Sequence, residues 1–190
     1  MDDYYSPHPT TILKRPLALC GFWGAQIPET AVGIASVTGI PFVDVERRLE
    51  HHLGMRLQDY VDSAGFQQLL RVEEKELPKM IPAYGMPPIV ALQPQTLLSA
   101  KNRAYLHKHT DMYYIEKSVF VLFANILEVL DRSEATRFFQ IPVQDPRDIS
   151  QISTLFKRYK MYYRNITNIV EANMHPLKVA KKIQQMLGVL

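Results

Sequence analysis

Residues 17–29 read Leu17-Ala18-Leu19-Cys20-Gly21-Phe22-Trp23-Gly24-Ala25-Gln26-Ile27-Pro28-Glu29. A short apolar run, two glycines three apart and then a stretch of helical character predict a buried strand, a glycine turn and a helix. Pro28 suits the first turn of that helix, where its missing N–H would have no intrahelical partner. Glu29 follows where the helix dipole favours an acid, and Gly39 is the expected C-cap.

The same alternation continues outward. Ile40-Pro41-Phe42-Val43-Asp44 reads as a second strand, Val45 to Leu53 as a helix stopped by Gly54, and Leu57 to Val61 as the start of another. After Gly65, Phe66 to Leu77 is a helix with Leu69, Leu70, Val72 and Leu77 spaced for burial. The proline-rich stretch 78–88 reads as a loop. Ile89 to Leu92 is a third strand, Ser99 a cap for a helix to about His107, and Asp111 to Ile115 a fourth strand. Ser118 caps an apolar helix to about Leu130, and Ile152 to Tyr163 is helical. Asn168 to Glu171 is a fifth strand, and Pro176 opens a last helix with the stripe Leu177, Ala180, Ile183 and Leu187. Strands alternating with helices predict an α/β fold, a three-layer α/β/α sandwich on a central parallel sheet of about five strands. The expected organisation is a flexible leader over 1–11 and one domain over 12–190, with 131–150 as a candidate lid.

Composition bounds the function classes. The chain has 190 residues, 22 Lys plus Arg against 19 Asp plus Glu, and 47% hydrophobic residues. A net charge of +3 is too mild to point to nucleic acid. The single cysteine, Cys20, excludes an internal disulfide framework and reads as a small core hydrophobe. No apolar run approaches the roughly 18–20 residues of a membrane span. The N-terminal MDDYYSPHPTT has no basic head or apolar stretch, so a cytoplasmic setting is expected.

From about Leu17 to Leu187 the order of pieces resembles the shikimate kinase family, small P-loop kinases of the nucleoside-monophosphate-kinase type. Gly21-Phe22-Trp23-Gly24-Ala25 matches the start of the family's GxxGxGKST loop, and Asp44-Val45-Glu46 falls on its D-x-D pair. Gly54, Asp59, Gly65 and Val72-Glu73-Glu74 keep the register. IVALQPQTLLSAKNRAYL (89–106) matches the strand, glycine triplet and helix, and KRYKMY (157–162) is similar to R-x-P-L-Y. The resemblance implies a P-loop kinase topology and phosphoryl transfer from ATP, with magnesium, to a shikimate hydroxyl.

The departures cluster where that chemistry would occur. The family's loop glycine, lysine, serine and threonine are here Gln26, Ile27, Pro28 and Glu29. A working loop needs inward N–H groups, a lysine on the phosphates and a hydroxyl on magnesium. Pro28 has no N–H, Ile27 no charge, and neither Pro28 nor Glu29 a hydroxyl. A hydrogen bond to a charged group contributes roughly 1.5–3 kcal/mol, and a charge pair about 5 Å apart at an effective dielectric of about 20 roughly 3 kcal/mol. Losing the lysine therefore weakens phosphate binding by several kcal/mol. On the substrate side Glu46 replaces an aspartate, Leu70 the carboxylate-gripping arginine, and Gln93-Pro94-Gln95 the glycine triplet. Arg158 stands at the family's carboxylate-binding arginine, and Arg137 at the lid arginine. The remnant phosphate loop is thus Gly21, Gly24, Ala25, Gln26, Ile27, Pro28 and Glu29. The remnant substrate pocket is Asp44, Glu46, Gln93, Arg137 and Arg158.

Simpler readings stand beside these. Asp44 and Glu46 are a remnant metal pair or merely acids at a helix start. His51-His52 and His107-Lys108-His109 lack ligand spacing and read as surface residues. Phe22 and Trp23 form either a new apolar surface or a cover over the vacated pocket. The loop around Met80–Pro88 is a docking segment or a packed loop. Lys157, Arg158, Lys160 and Arg164 interleave with tyrosines but read as a snorkelling helix face. The expectation is a shikimate-kinase-like chain without kinase activity, a pseudoenzyme with no catalytic residues, no bound metal and no cofactor. Its role would be interaction, regulation or the sensing of a small anion, with a protein partner or a second copy and neither nucleic acid nor membrane. The alternatives are an active small-molecule kinase using ATP and magnesium, and a structural subunit with a plugged pocket.

Overall fold

A computed structural model describes residues 13–81, 85–131 and 141–188. The expected leader and Arg137 lie outside the described residues. Five strands form one parallel sheet: β1 (Leu17–Cys20), β2 (Phe42–Asp44), β3 (Ile89–Ala91), β4 (Asp111–Glu116) and β5 (Asn168–Glu171). Their spatial order is β2-β3-β1-β4-β5. Leu17 pairs with Ile89 on one side and with Asp111 on the other, so β1 is central and wholly buried. A strand covered on both faces is apolar throughout, as Leu-Ala-Leu-Cys is. The strand count and three-layer architecture agree with the expectation.

Among the described residues, eight α-helices surround the sheet: α1 (Ile27–Thr38), α2 (Val45–Leu53), α3 (Leu57–Ala64), α4 (Phe66–Met80), α5 (Ala100–His109), α6 (Val119–Asp131), α7 (Ile149–Tyr163) and α8 (Pro176–Met186). Helices α1 and α8 pack together through Gly33, where a Cβ would come within 3.2 Å of Ala180 and Leu177. Gly39 and Gly54 close α1 and α2 in the left-handed conformation, and Ser99 accepts from Asn102 N at 3.2 Å to cap α5.

Several elements differ from expectation for identifiable reasons. Strand β2 starts at Phe42 because Pro41 has no N–H to donate, although its carbonyl accepts from Ile89 N at 2.8 Å. Helix α4 runs through Pro78 to Met80, its end held by the buried Leu77 and Ile81. Its buried line is Leu69, Glu73 and Leu77, while Leu70 and Val72 are half-buried. In α8 the buried face is Pro176, Val179, Ala180 and Ile183, and Leu177 is 55% exposed. A 3-10 turn over Pro94–Leu98 precedes α5. Of 131–150, Asp131 ends α6, Ile149 opens α7 and Asp148 caps it, while 132–140 lie outside the described residues.

Candidate functional site

The loop between β1 and α1 lies at the carboxyl edge of the parallel sheet, where ligands of open α/β folds bind. Ala25 N donates to Phe22 O at 2.9 Å, which closes the turn. Gly24 has φ +79, and a Cβ on it would overlap the Leu122 carbonyl of α6. Gln26 follows at φ 59, ψ 48, the one non-glycine with positive φ among the described residues. The loop therefore keeps a left-handed turn and carries a long side chain in it.

That side chain sets the chemistry of the loop. Gln26 Oε1 accepts from Lys117 Nζ at 2.8 Å and from Asn125 Nδ2 at 3.2 Å. Asn125 Nδ2 also donates to Gly24 O at 2.7 Å. Lys117, just beyond β4, is 2% exposed. Burial lowers its pKa, and the charge of Glu29 opposes that shift. Glu29 itself is exposed. Thr30 is buried, and its hydroxyl donates to Gln26 O at 2.9 Å.

The loop aromatics turn inward. Phe22 and Trp23 are 2% and 4% exposed and meet each other edge-to-face at 5.2 Å. Phe156 and Tyr159 of α7 close over them at 5.1–5.7 Å between ring centroids. Tyr163 OH donates to Gly21 O at 3.0 Å. These rings are packed inside the molecule and do not form an exposed apolar surface.

The polar residues around α2 and β3 range from half-buried (Asp44, Glu46) to buried (Glu73, Gln93, Gln95). Asp44 caps α2 by accepting from Arg47 N at 3.3 Å, the helix-start role. Glu46 Oε2 accepts from Gln93 Nε2 at 2.7 Å. Burial, then the charges of Asp44 and Glu50, push the Glu46 carboxyl up to about 7. Glu73 accepts from the Thr96 hydroxyl, and burial pushes it up to about 7. Gln95 is fully buried, and its amide has no partner among the described residues.

Asp44 and Arg158 line different hollows. A cleft of about 520 Å³ is lined by Gln26, Glu29, Phe42, Asp44, Arg47 and His175. Arg158 is exposed and lines a separate hollow with Ile141, Gln144 and Thr154. Lys157, Lys160 and Arg164 flank a third, floored by Tyr114 and Tyr163. The basic stretch is thus split between two sides of α7. The four histidines of the two pairs are exposed, and no three His, Cys, Asp or Glu side chains converge as a metal site among the described residues. Cys20 is buried, with its thiol pushed up by burial.

Sequence reasoning missed Lys117 and Asn125, and it named Glu73 only as keeping the family register. A signal existed for all three. Lys117 follows a strand at the ligand-binding edge, Asn125 is a lone amide in an apolar helix, and Glu73 sits midway between two buried leucines. Although Ile27 carries no charge, Lys117 brings a cation to the loop.

The residues present do not fit a magnesium-bound triphosphate. Pro28 and Glu29 offer no hydroxyl, Asp44 caps a helix and Gln26 accepts from the nearby Lys117.

The family profile described as Shikimate kinase matches residues 30–188. "Shikimate kinase 2" of Photorhabdus laumondii is 19% identical over 177 residues, 92% of this chain and 97% of that one. "Shikimate kinase 2" of Salmonella schwarzengrund is 25% identical over 173 residues, 90% of this chain and 91% of that one. A solved shikimate kinase from Acinetobacter baumannii, in complex with shikimate, superposes with a TM-score of 0.78 at 20% identity, covering 92% of this chain and 93% of that one.

Proposed function

The chain belongs to the shikimate kinase family, and from that premise we propose that it is a member without phosphoryl transfer, a non-catalytic interaction or regulatory domain. One observation carries this reading: where the family has Gly, Lys, Ser and Thr, the loop has Gln26, Ile27, Pro28 and Glu29, with the Gln26 amide seated against the nearest buried cation. Kinase catalysis is positioning and charge stabilisation of the transferred phosphoryl group, and this loop supplies neither a free cation nor a hydroxyl for magnesium. The buried Trp23, Gln93 and Gln95 support the plugged-pocket form of the reading. The exposed Arg158 is the group for a small anion in its sensing form. The working partner is then a protein or a second copy of the chain, in the cytoplasm.

Calorimetric titration of the purified chain with ATP and magnesium, then with shikimate, tests this, together with an assay for shikimate-dependent ADP release. Neither nucleotide heat at millimolar ligand nor turnover is expected. Micromolar nucleotide affinity or turnover above background overturns the reading.

A second reading, an ATP-dependent small-molecule kinase with an atypical loop, is favoured by Lys117, whose ammonium lies at the loop. Under it, Lys117→Met abolishes turnover.

A further inference from the structure

We propose that Lys117 and Asn125 form an oxyanion-binding pair that replaces the lost loop lysine, and that Gln26 Oε1 is its internal occupant. The proposal rests on the non-catalytic reading above and explains how the loop is held closed.

Three observations converge on it. First, Lys117 is 2% exposed and makes no ion pair among the described residues. Its hydrogen bond goes to the neutral Gln26 amide oxygen, which leaves two ammonium protons for other acceptors. A buried cation is ordinarily paired with an anion. Glu29, the nearest acid acting on it, is exposed.

Second, the donors around Gln26 Oε1 are arranged as around an oxyanion. Lys117 Nζ at 2.8 Å and Asn125 Nδ2 at 3.2 Å converge on one oxygen from two different elements. Asn125 is fixed in place by its bond to Gly24 O at 2.7 Å. The amide oxygen carries a partial charge where a phosphate oxygen carries a fuller one, so an anion makes stronger hydrogen bonds at the same donors.

Third, the occupant is held at a backbone cost. Gln26 adopts φ 59, a left-handed conformation that is strained for a residue with a side chain. Such outliers persist where surrounding contacts over-determine them, and here the two donors to Oε1 do so. The ligand class is an oxyanion with several oxygens, as in a di- or triphosphate.

Withdrawing the occupant tests the assignment. Gln26→Gly suits the left-handed backbone and removes the amide. Gln26→Asn tolerates the same backbone with a side chain one methylene shorter, and keeps the test valid if the glycine variant folds poorly. Calorimetry with inorganic pyrophosphate should show at least about tenfold tighter binding to either variant than to the parent chain, as expected when one charge-assisted hydrogen bond becomes available. Pyrophosphate should raise the melting midpoint of the variants and leave the parent unmoved. Adding Lys117→Met to either variant should erase the gain. Folded Gln26→Gly and Gln26→Asn chains that bind no better than the parent overturn this inference alone. A gain that survives Lys117→Met overturns the assignment to Lys117. Micromolar nucleotide binding by the parent chain instead overturns the non-catalytic reading.

Discussion

Gly24 and Gln26 hold the loop between β1 and α1 in a left-handed turn for different reasons. Both take positive φ, but only Gly24 does so because no side chain fits, since α6 presses its Leu122 carbonyl onto the Cα. Gly24→Ala therefore combines a left-handed backbone penalty of about 1–2 kcal/mol with overpacking of about 1–3 kcal/mol. The melting midpoint should fall by roughly 5–15 °C. A midpoint within a degree of the parent's would show that α6 does not press on the loop. The glycine spacing was legible in the sequence. The fate of Gln26 was not, because its two donors lie 91 and 99 residues away.

At the scale of elements, caps were readable and buried faces only partly so. Ser99 precedes a helical run, and its hydroxyl both caps Asn102 N at 3.2 Å and donates to Glu74 at 2.6 Å. Ser99→Ala should cost about 1 kcal/mol and lower the midpoint by about 2–4 °C. Faster amide exchange at Asn102 would localise the loss to the cap, and unchanged exchange there would contradict it. In α4 and α8 the apolar residues alone misplaced the buried stripe. Glu73 is buried because Thr96 meets its carboxylate, and Leu177 is exposed although apolar. Hydrophobic periodicity reads residue type, whereas burial depends on which neighbour arrives.

For the whole molecule, two buried carboxyls govern stability against pH. Folded Glu73 holds its proton to about pH 7, whereas an unfolded glutamate releases it near its ordinary value of 4.5. Between these values the folded chain binds the extra proton. Its stabilising contribution is full below about 4.5 and is lost as pH rises through about 7. The rise of Glu73 corresponds to on the order of 3 kcal/mol, and Glu46 acts in the same direction. Asp59, Glu76 and Asp148 are shifted downward by their partners, so their contribution is lost only as pH falls below the ordinary carboxylate range. The midpoint should be several degrees higher at pH 5 than at pH 8. Glu73→Gln should flatten that slope and raise the pH 8 midpoint. A parent chain with equal midpoints at both values would show that neither carboxyl is held protonated.

The order and kind of elements, the parallel sheet and the absence of a lysine and of a hydroxyl from Gln26–Glu29 follow from local patterns: apolar runs, caps, prolines and residue types. Those signals act over a few residues, and a linear reading captures them. The pairing of Lys117 with Gln26, the Gln93–Glu46 bond and the aromatic cover over Phe22 and Trp23 join residues 91, 47 and more than 130 positions apart. Such contacts exist only once the parallel crossovers bring the carboxyl ends of the strands to one edge. The same folding that places Arg158 in a hollow apart from Asp44 places a lysine at the loop, because side-chain direction and burial are properties of the packed chain.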